Sequence, residues 1–541
     1  MTTESPCLLN NTPQTTTPST TNTSIGITTS RLGICLQLFT IATIAGLLRI
    51  PYLSTRSIWY DEASSWQTAR FSLSGIIESL SRNVHMPLYY FSLKLWMIPF
   101  GESVVSLRMF SIGLGIVTTL AMYGVAKECY RLNRSNSNSD EGSDWFVPLA
   151  TGLFVAVNAF QINASIEVRM YALGTALSAL SAWSMIRVIA APDRDFRWAL
   201  WTLLCIALTY THHHCLFMVA SQFVFLFGYA AFQYMSSEPA ALLLRRGFLA
   251  AVAVLVSYLP GAVLLSAQLS RVRQDYWTEP FSLKLVATTF VEFVSPLFRS
   301  SDHLWLIAGL SFGLTIISVT FVMIRPRFPG ILALTLGGLP LCLAAVVTLT
   351  VTPVWEGRFF RFPQLFLLMV LAIAVAQISR RTSFRVTIAG IAILAMSTAS
   401  VLFWQSRHIE ERPGMREVIA RIMKIQKKDV IIVSSSNIHL FPAKYYASET
   451  AKLRIFRSGT KFFWGDHLYR ESDILSDKEL EEFLQNGFWV LGHQPIPGGI
   501  KELEGILVDH TFEVHYDRGV PDWPIHAAHV RKVNESLGDF D

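Results

Sequence analysis

Long runs of apolar residues recur along this chain, and they constrain its fold more than any other feature. Its 541 residues are 51% hydrophobic and only 16% charged, whereas soluble globular chains carry about 25% charged residues. About 20 apolar residues suffice for a helix to cross a bilayer, and a helix satisfies its own backbone hydrogen bonds there. About eleven such runs are present, at roughly 32–52, 104–126, 146–163, 170–189, 198–212, 214–234, 247–267, 303–324, 331–351, 362–379 and 386–405. The sequence therefore predicts a mainly α, polytopic membrane helical bundle.

Basic residues gather in the short connections on one side of this predicted bundle. They are Lys127, Arg131, Arg134, Arg187, Arg194, Arg197, Arg245, Arg246, Arg325, Arg327, Arg380, Arg381 and Arg385. An excess of Lys and Arg is typical of cytoplasmic loops. We therefore expect a multi-pass protein of the cytoplasmic (inner) membrane, with its C-terminal part on the outer side after an odd number of spans. The net charge of +6 does not indicate a nucleic-acid partner.

Two segments of different composition flank the predicted bundle. Residues 1–30 are rich in Thr, Ser and Asn, which predicts a disordered leader. Residues 31–406 contain the predicted transmembrane domain. In residues 407–541, "MREVIARIMKI" and "DKELEEFLQNG" have helical periodicity, and "VIIV" and "FWVLG" are typical of buried strands. This part predicts a small external α/β domain. The six cysteines are scattered, so we expect neither a disulfide framework nor a cysteine metal site.

The segment after the first apolar run, roughly 53–103, is too long for a simple turn. Its stretches "FSLSGIIESLSR" and "HMPLYYFSLKLWMIPFG" predict amphipathic helices lying in the membrane interface. Before them, "WYDEASSW" places Asp61 and Glu62 among Trp and Tyr residues. A carboxylate that is partly desolvated in such a belt can act as a base. An ordinary solvated loop is the alternative for this acidic pair.

Two further motifs carry ionisable groups on the same predicted outer face. "HMPLYY" contains His85, which is either a ligand for a metal or phosphate or a histidine in an interfacial turn. "NASIEVRMYAL" contains Glu167, Arg169 and Tyr171 in a very short loop. The acid there either adds a third carboxylate to the face, oriented by Arg169, or forms a local ion pair that caps a helix.

Histidines and arginines complete this outer cluster. "THHHC" contains His212, His213 and His214, of which one can be a ligand while the others are interfacial. "VWEGRFFRFP" contains Arg358 and Arg361, whose guanidinium forks suit phosphate, although arginine at a helix end can also simply reach the interface. Together the acids, histidines and arginines are what sugar-phosphate transfer requires: a base for the acceptor hydroxyl and cations for the leaving phosphate.

These motifs in this order resemble the GT-C polytopic glycosyltransferases. The acidic pair follows the first span, "H-x-P-x-Y-Y" lies in the interfacial segment, "E-x-R-x-Y-x-L" follows the third span, and "R-F-F-x-x-P" lies late in the chain. More closely, the chain is similar to the bacterial branch related to protein O-mannosyltransferases and lipid A aminoarabinose transferases. The resemblance covers roughly 32–405, and the tail looks like the external domain of those proteins.

The resemblance implies transfer of a sugar from a polyprenyl-phosphate carrier to an acceptor on the outer side of the membrane. It implies that Asp61 is the catalytic base, with Glu62 beside it, and that Glu167 is the second essential acid. Arg358 resembles a contact to the carrier phosphate. Met86 stands where some relatives have a phosphate-binding lysine, so phosphate binding is assigned to Arg358 and Arg361.

Substrate binding is further assigned to His85, Arg169 and Tyr171. The cofactor is left open, and a divalent metal ion held by His85, Glu167 and His213 is the candidate. The expected partners are a polyprenyl-phosphate-linked sugar, membrane lipid, and a lipid, polysaccharide or protein acceptor, and no nucleic acid.

Two other functions remain compatible with a polytopic chain. A transporter or flippase without transferase activity would place polar groups near the bilayer midplane, often in repeated halves, and neither feature is evident in this sequence. Transfer of a non-sugar group or of a whole oligosaccharide is the other alternative.

Overall fold

The computed structural model describes most of the chain in a series of continuous ranges. They are residues 31–51, 53–135, 145–235, 240–272, 280–378, 381–409, 414–457, 468–492, 503, 507–514 and 525–531. The predicted disordered leader, residues 1–30, lies outside them.

Helices dominate these ranges. Up to residue 409 they are α1 (Arg31–Leu47), α2 (Tyr60–Arg70), α3 (Leu73–Ser81), α4 (Leu88–Phe100), α5 (Val104–Ser135), α6 (Phe146–Val157), α7 (Ala159–Ile166), α8 (Tyr171–Ala190), α9 (Asp195–Thr209), α10 (Cys215–Met235), α11 (Ala241–Val272), α12 (Leu283–Val294), α13 (Leu304–Ile324), α14 (Phe328–Thr350), α15 (Arg361–Ile378) and α16 (Thr382–Ile409). Short 3₁₀ turns lie at Pro296–Ser300 and Gly357–Phe360.

Every predicted apolar run coincides with a helix or, at 146–163, with the bent pair α6 and α7. Within the described ranges, 8 helices are long and apolar enough to cross a membrane, or up to 9 if the pair bent by 59° forms one span. Helices α1 and α9 coincide with the two remaining runs and are shorter, at 17 and 15 residues. The prediction of a polytopic helical bundle is confirmed.

The acidic pair lies in a helix, which the sequence pattern did not indicate. Asp61 and Glu62 occupy the first turn of α2, where carboxylates interact favourably with the helix dipole. At the other end, the Lys94 ammonium donates hydrogen bonds to the carbonyls of Ala69 (3.2 Å) and Phe71 (2.9 Å). The predicted interfacial helices follow as α3 and α4. Helix α2 is therefore fixed at its C-terminal end by α4.

The C-terminal α/β domain comprises the described elements from residue 415 onwards. They are α17 (Met415–Ile425), β1 (Ile431–Ser434), α18 (Asn437–Tyr446), β2 (Lys452–Ile455), α19 (Asp477–Asn486), β3 (Phe488–Gly492), β4 (Leu507–Val514) and β5 (Ile525–Arg531), with a 3₁₀ turn at Glu471–Asp473. The strand order is β2-β1-β3-β5-β4. Strand β1 pairs in parallel with β2 and β3, whereas β5 is antiparallel to both β3 and β4.

Each face of this sheet has its own hydrophobic core. Val418 and Ile422 of α17 pack with Ile432 and Trp489 on one face. Phe483 of α19 packs on the other face, with Val433, Phe488 and Val490 among its partners. The predicted small α/β domain is confirmed.

Small residues allow α5 and α8 to approach closely. A Cβ built on Gly124 would lie 2.8 Å from Cε2 of Trp183, whereas one on Gly113 would meet nothing within 4 Å. The hydroxyls of Thr118 and Thr175 lie 3.2 Å apart across the same interface. Small residues and hydroxyls are the usual means by which helices associate in membranes, because lipid offers no hydrophobic drive between them.

We predict opposite effects of one added methyl group at these two glycines of α5. Gly124→Ala should lower the free energy of unfolding by about 1–3 kcal/mol because it overpacks the contact with Trp183. Gly113→Ala should be neutral or stabilising by up to about 1 kcal/mol, since alanine is the better helix former. Unfolding in detergent micelles measures both, and equal stability of the two variants would contradict the proposed close contact.

Candidate active site

Asp61 presents a partly exposed carboxylate between two guanidinium groups. Its side chain is 18% exposed, and its Oδ2 lies 3.7 Å from Nε of Arg169 and 3.9 Å from Nη1 of Arg358. The three residues come from α2, the short connection before α8 and the 3₁₀ turn before α15. The fold thus brings a carboxylate and two cations together from distant parts of the chain.

Arg169 links this carboxylate to His85. Its Nη2 lies 3.3 Å from Nε2 of His85. Because a guanidinium can only donate, His85 accepts at Nε2 and is neutral, with its proton on Nδ1. Burial alone would lower the pKa of Arg169, but the neighbouring Asp61 carboxylate helps to raise it above the usual value. Arg169 is therefore a fixed cation beside Asp61.

Glu62 has surroundings unlike those of its neighbour. Its side chain is 0% exposed, and its two oxygens accept hydrogen bonds from Nε (3.0 Å) and Nη2 (2.7 Å) of Arg108. Nη2 of Arg56 lies 3.6 Å from Oε1, and the backbone N–H of Val168 donates to the same oxygen at 3.3 Å. Burial would raise the pKa of the Glu62 carboxyl, but Arg108 and Arg56 outweigh it and the pKa lies below its usual value.

The geometry therefore favours an anchoring role for Glu62. Both of its oxygens are used inside the protein, and Arg108 also donates to the backbone carbonyls of Leu53, Arg56 and Ser57. The catalytic assignment of Glu62 stays a prediction, without direct support from these contacts. Neither Arg56 nor Arg108 was predicted as a site residue. The signal for Arg108 was a single charge near the start of an apolar helix, which requires a buried partner.

Arg361 is a buried cation with free donors. Its side chain packs over the ring of Tyr171, with Cζ 4.5 Å from the ring centroid, and lies 5.4 Å from the ring centroid of Phe160. Its Nε and Nη1 are buried and have no hydrogen-bond partner among the described residues. Glu167, itself buried, is near enough for a charge–charge interaction with Arg361. The unused donors of Arg361 suit an anion.

A network of amides holds the backbone of Arg361. Nε2 of Gln161 donates to the carbonyl of Arg361 (2.8 Å) and to Oε1 of Gln364 (2.6 Å). Nδ2 of Asn158 donates to the carbonyl of Phe293 at 2.9 Å. Asn158 lies at the break between α6 and α7, and Gln161 lies in the first turn of α7. The bend in this pair thus supplies polar groups that fix the start of α15.

Arg358 is more accessible than Arg361. Its side chain is 30% exposed, and Nε lies 3.8 Å from Oε1 of Glu356.

Arg299 is placed between two buried acids, with Nη1 at 3.0 Å from Oε1 of Glu292 and 3.3 Å from Oε1 of Glu356. Burial raises the pKa of Glu292 despite Arg299. Glu292 and Arg299 were not predicted as site residues, although a lone acid in the apolar α12 was a usable signal.

The three consecutive histidines diverge. The rings of His212 and His214 lie 5.4 Å apart and contact Phe359, whereas Nε2 of His213 lies 2.8 Å from Oε1 of Gln268. Burial lowers the pKa of all three, to about 3 for His214. They are therefore neutral near pH 7 and do not supply cations for a phosphate.

The predicted metal ligands are not brought together. Among the described residues, no group of three or more His, Cys, Asp or Glu side chains could hold a metal ion. His85 instead contacts Arg169, and His213 contacts Gln268. The set His85, Glu167 and His213 does not fit a metal centre, and no step below uses one.

The fold has solved counterparts, although no family model and no curated protein matches the sequence. The chain is similar to ArnT from Cupriavidus metallidurans bound to undecaprenyl phosphate, with a TM-score of 0.55 and 13% identity over 92% of this chain and 98% of that chain. The chain matches the apo state of the same protein with a TM-score of 0.53 and 11% identity, over 92% of this chain and 97% of that chain. It matches the oligosaccharyltransferase AglB from Archaeoglobus fulgidus with a TM-score of 0.47 and 10% identity, over 77% of this chain and 64% of that chain. The two ArnT structures thus confirm the predicted resemblance at the level of the fold.

We predict that Glu62 and Arg108 depend on each other for stability. Glu62→Gln should lower the free energy of unfolding by about 3–5 kcal/mol because it leaves a buried guanidinium without its counter-charge. In the wild type, the stabilisation by this carboxylate should be present above its usual pKa of 4.5 and be lost as the pH falls through its lowered pKa. The measurement is unfolding in detergent micelles as a function of pH.

The control is the double variant Glu62→Gln with Arg108→Met. It removes both charges and should recover much of the lost stability, since buried ion pairs are often replaceable by apolar groups. A direct pair would be contradicted if the loss of unfolding free energy in the double variant equalled the sum of the losses in the two single variants.

Proposed function

We propose that this polytopic membrane protein is a glycosyltransferase that moves a sugar from a polyprenyl-phosphate carrier to an acceptor hydroxyl. One observation carries the proposal: the partly exposed Asp61 carboxylate faces the guanidiniums of Arg169 and Arg358. Arg361, which has unpaired buried donors, is near enough to Arg358 for their charges to interact. A base and several anion-binding groups are what this transfer requires. The fold likeness to a protein bound to undecaprenyl phosphate supports a lipid-phosphate donor.

Asp61 is the general base in this mechanism. It removes the proton of the acceptor hydroxyl, and the resulting oxygen nucleophile attacks the anomeric carbon of the donor sugar. The bond between that carbon and the phosphate oxygen breaks, and the polyprenyl phosphate leaves with the bonding electrons. A single displacement of this kind inverts the anomeric centre. Asp61 suits the role because it is the more exposed carboxylate of the pair, whereas Glu62 is fully enclosed.

Arg358 and Arg361 bind the carrier phosphate. Arg361 has two buried N–H donors without partners, and a buried donor is costly to leave unsatisfied, so these two favour a ligand that can accept from them. Arg358 is partly exposed and lies between Asp61 and Glu356, so it can bind the phosphate as it arrives. Developing charge on the leaving group strengthens both contacts in the transition state.

The remaining predicted residues orient this apparatus. Glu167 balances the charge of Arg361, and Tyr171 supports its guanidinium through a cation–π contact. His85 holds Arg169 by accepting a hydrogen bond at Nε2. Together these contacts fix the guanidiniums of Arg169 and Arg361.

The location of the reaction follows from the charge of the loops. The basic connections support an outer position, beyond the cytoplasmic membrane, for the opposite end of the bundle and the C-terminal α/β domain. The acceptor is therefore a lipid, polysaccharide or protein hydroxyl available on that side.

We predict that Asp61→Asn abolishes most of the transfer. Loss of a general base lowers the rate roughly a hundredfold to ten-thousandfold, while the amide keeps the size of the side chain. The assay incubates purified protein with a panel of polyprenyl-phosphate sugars and acceptors and measures release of the carrier. Glu78→Gln, an exposed acid of α3, is the matched control and should retain full activity.

Near-normal activity of Asp61→Asn would exclude its assignment as base. If the wild-type protein instead took up a solute into proteoliposomes without consuming any lipid-linked sugar, the transporter function would replace the transferase.

We predict that Arg361→Gln chiefly weakens donor binding. Loss of a charge-assisted contact corresponds to about 1.5–3 kcal/mol, or a rise of roughly ten- to a hundredfold in the donor dissociation constant. Binding of a polyprenyl phosphate to protein in nanodiscs measures this directly. Arg82→Gln, which removes an exposed arginine of the α3 end paired with Glu78, should bind normally. Equal affinity of the wild type and Arg361→Gln would contradict the phosphate contact.

A further inference from the structure

The segment that leads into α2 has no regular secondary structure of its own. Residues 55–59 form this lead-in segment directly before the helix, and Asp61 follows two residues later. No side chain caps the N-terminus of α2 at Trp59. The position of the Asp61 carboxylate therefore depends on contacts made by its neighbours.

The C-terminal α/β domain supplies several of these contacts to the lead-in segment. Nη2 of Arg416 donates to the carbonyl of Thr55 at 2.7 Å, and the backbone N–H of Arg416 donates to Oγ of Ser57 at 3.3 Å. The backbone N–H of Ile58 donates to the phenol oxygen of Tyr446 at 2.6 Å. Ile58 is fully buried, so without Tyr446 this N–H would lose its partner away from water.

The same domain also contacts α2 itself. The rings of Trp66 and Tyr445 meet edge to face, with centroids 5.0 Å apart. The hydroxyl of Tyr445 donates to the carbonyl of Glu102 at 2.8 Å, and the indole N–H of Trp66 donates to the Glu102 carboxylate at 2.6 Å. Helix α18 thus touches both the lead-in segment and the body of the helix that carries Asp61.

We propose that the C-terminal α/β domain is a positioning part of the transferase, in which Tyr446 holds Ile58 and so fixes Asp61 relative to Arg169 and Arg358. This inference rests on the proposed function. Tyr446 touches neither the donor nor the acceptor and acts only through the lead-in segment. Arg361, the buried phosphate-binding arginine, belongs to a different part of the fold, since its backbone is held by Gln161. Loss of the contact to Tyr446 should therefore affect kcat and leave KM for the lipid-linked donor unchanged.

The test is Tyr446→Phe in the full-length protein. It removes the acceptor oxygen and keeps the ring. Peptides that contain residues 55–66 should exchange their amide hydrogens for deuterium faster than in the wild type. The value of kcat should fall roughly ten- to a hundredfold, the scale of a misplacement of up to about 1 Å, while KM for the lipid-linked donor stays unchanged.

Lys444→Ala is the matched control on the same helix. Its ammonium lies 2.9 Å from Oδ1 of Asp473 within the C-terminal domain, so its loss weakens the domain without touching residues 55–58. Exchange of residues 55–66 and kcat should both remain at the wild-type level in this variant.

Unchanged exchange or unchanged kcat in Tyr446→Phe would overturn the inference, as would an equal loss of kcat in Lys444→Ala. A wild-type protein inactive with every donor would overturn the proposed function and, with it, the catalytic consequence drawn for Tyr446. The exchange measurement needs no substrate, and it alone decides whether the domain holds the lead-in segment.

Discussion

The buried ion pair between Glu62 and Arg108 is the interaction on which the arrangement of the site depends. Removing two charges from water costs free energy. The attraction between them offsets that cost only when the geometry is close and the remaining donors are satisfied. Here both carboxylate oxygens face the guanidinium, and the other N–H groups of Arg108 bind backbone carbonyls before α2. The pair fastens the short helix α2 to α5, a helix long and apolar enough to cross a membrane.

This attachment explains how two adjacent acids come to differ so strongly. Successive residues of a helix point about 100° apart. When Glu62 is fixed toward Arg108, Asp61 is turned toward Arg169 and Arg358 instead. Glu62 therefore stabilises the helix, and Asp61 is left partly exposed, as its proposed role as a base requires. Helical geometry points the two acids in different directions, and the buried one, Glu62, is the residue that anchors α2.

Much of the architecture could be predicted from sequence because lipid imposes a strong and simple pattern. Apolar runs located the described helices that are long enough to cross a membrane, and a short continuous apolar stretch, "FWVLG", located β3. The helical state of residues 60–70 was missed because its mean composition is polar and its contacts are tertiary: Arg108, Lys94 and the C-terminal domain hold it. Local pattern carries no signal for such distant partners.

The predictions for the site likewise differ in how far the sequence pattern supports them. Motifs marked Asp61, Arg169 and Arg358 as candidates because charges are rare in this chain, and the fold brings these three together. The metal set failed to assemble because sequence places residues on a face but does not set their directions: His213 turns toward Gln268.

The charges around Asp61 also favour binding of an anion over permanent occupation by the protein's own acids. Asp61 lies almost 4 Å from each of its two arginines, longer than a direct hydrogen bond, whereas Glu62 and Arg108 are in close contact. Loose ion pairs leave donors that can turn toward a ligand, and Arg361 adds donors that no described group satisfies. A phosphate bound there would complete the guanidiniums' hydrogen bonds while leaving the Asp61 carboxylate available to accept a proton. The tight pair anchors the helix, whereas the loose pairs leave donors for the proposed phosphate. Acids and arginines therefore serve structure at Glu62 and, in the proposed mechanism, chemistry at Asp61.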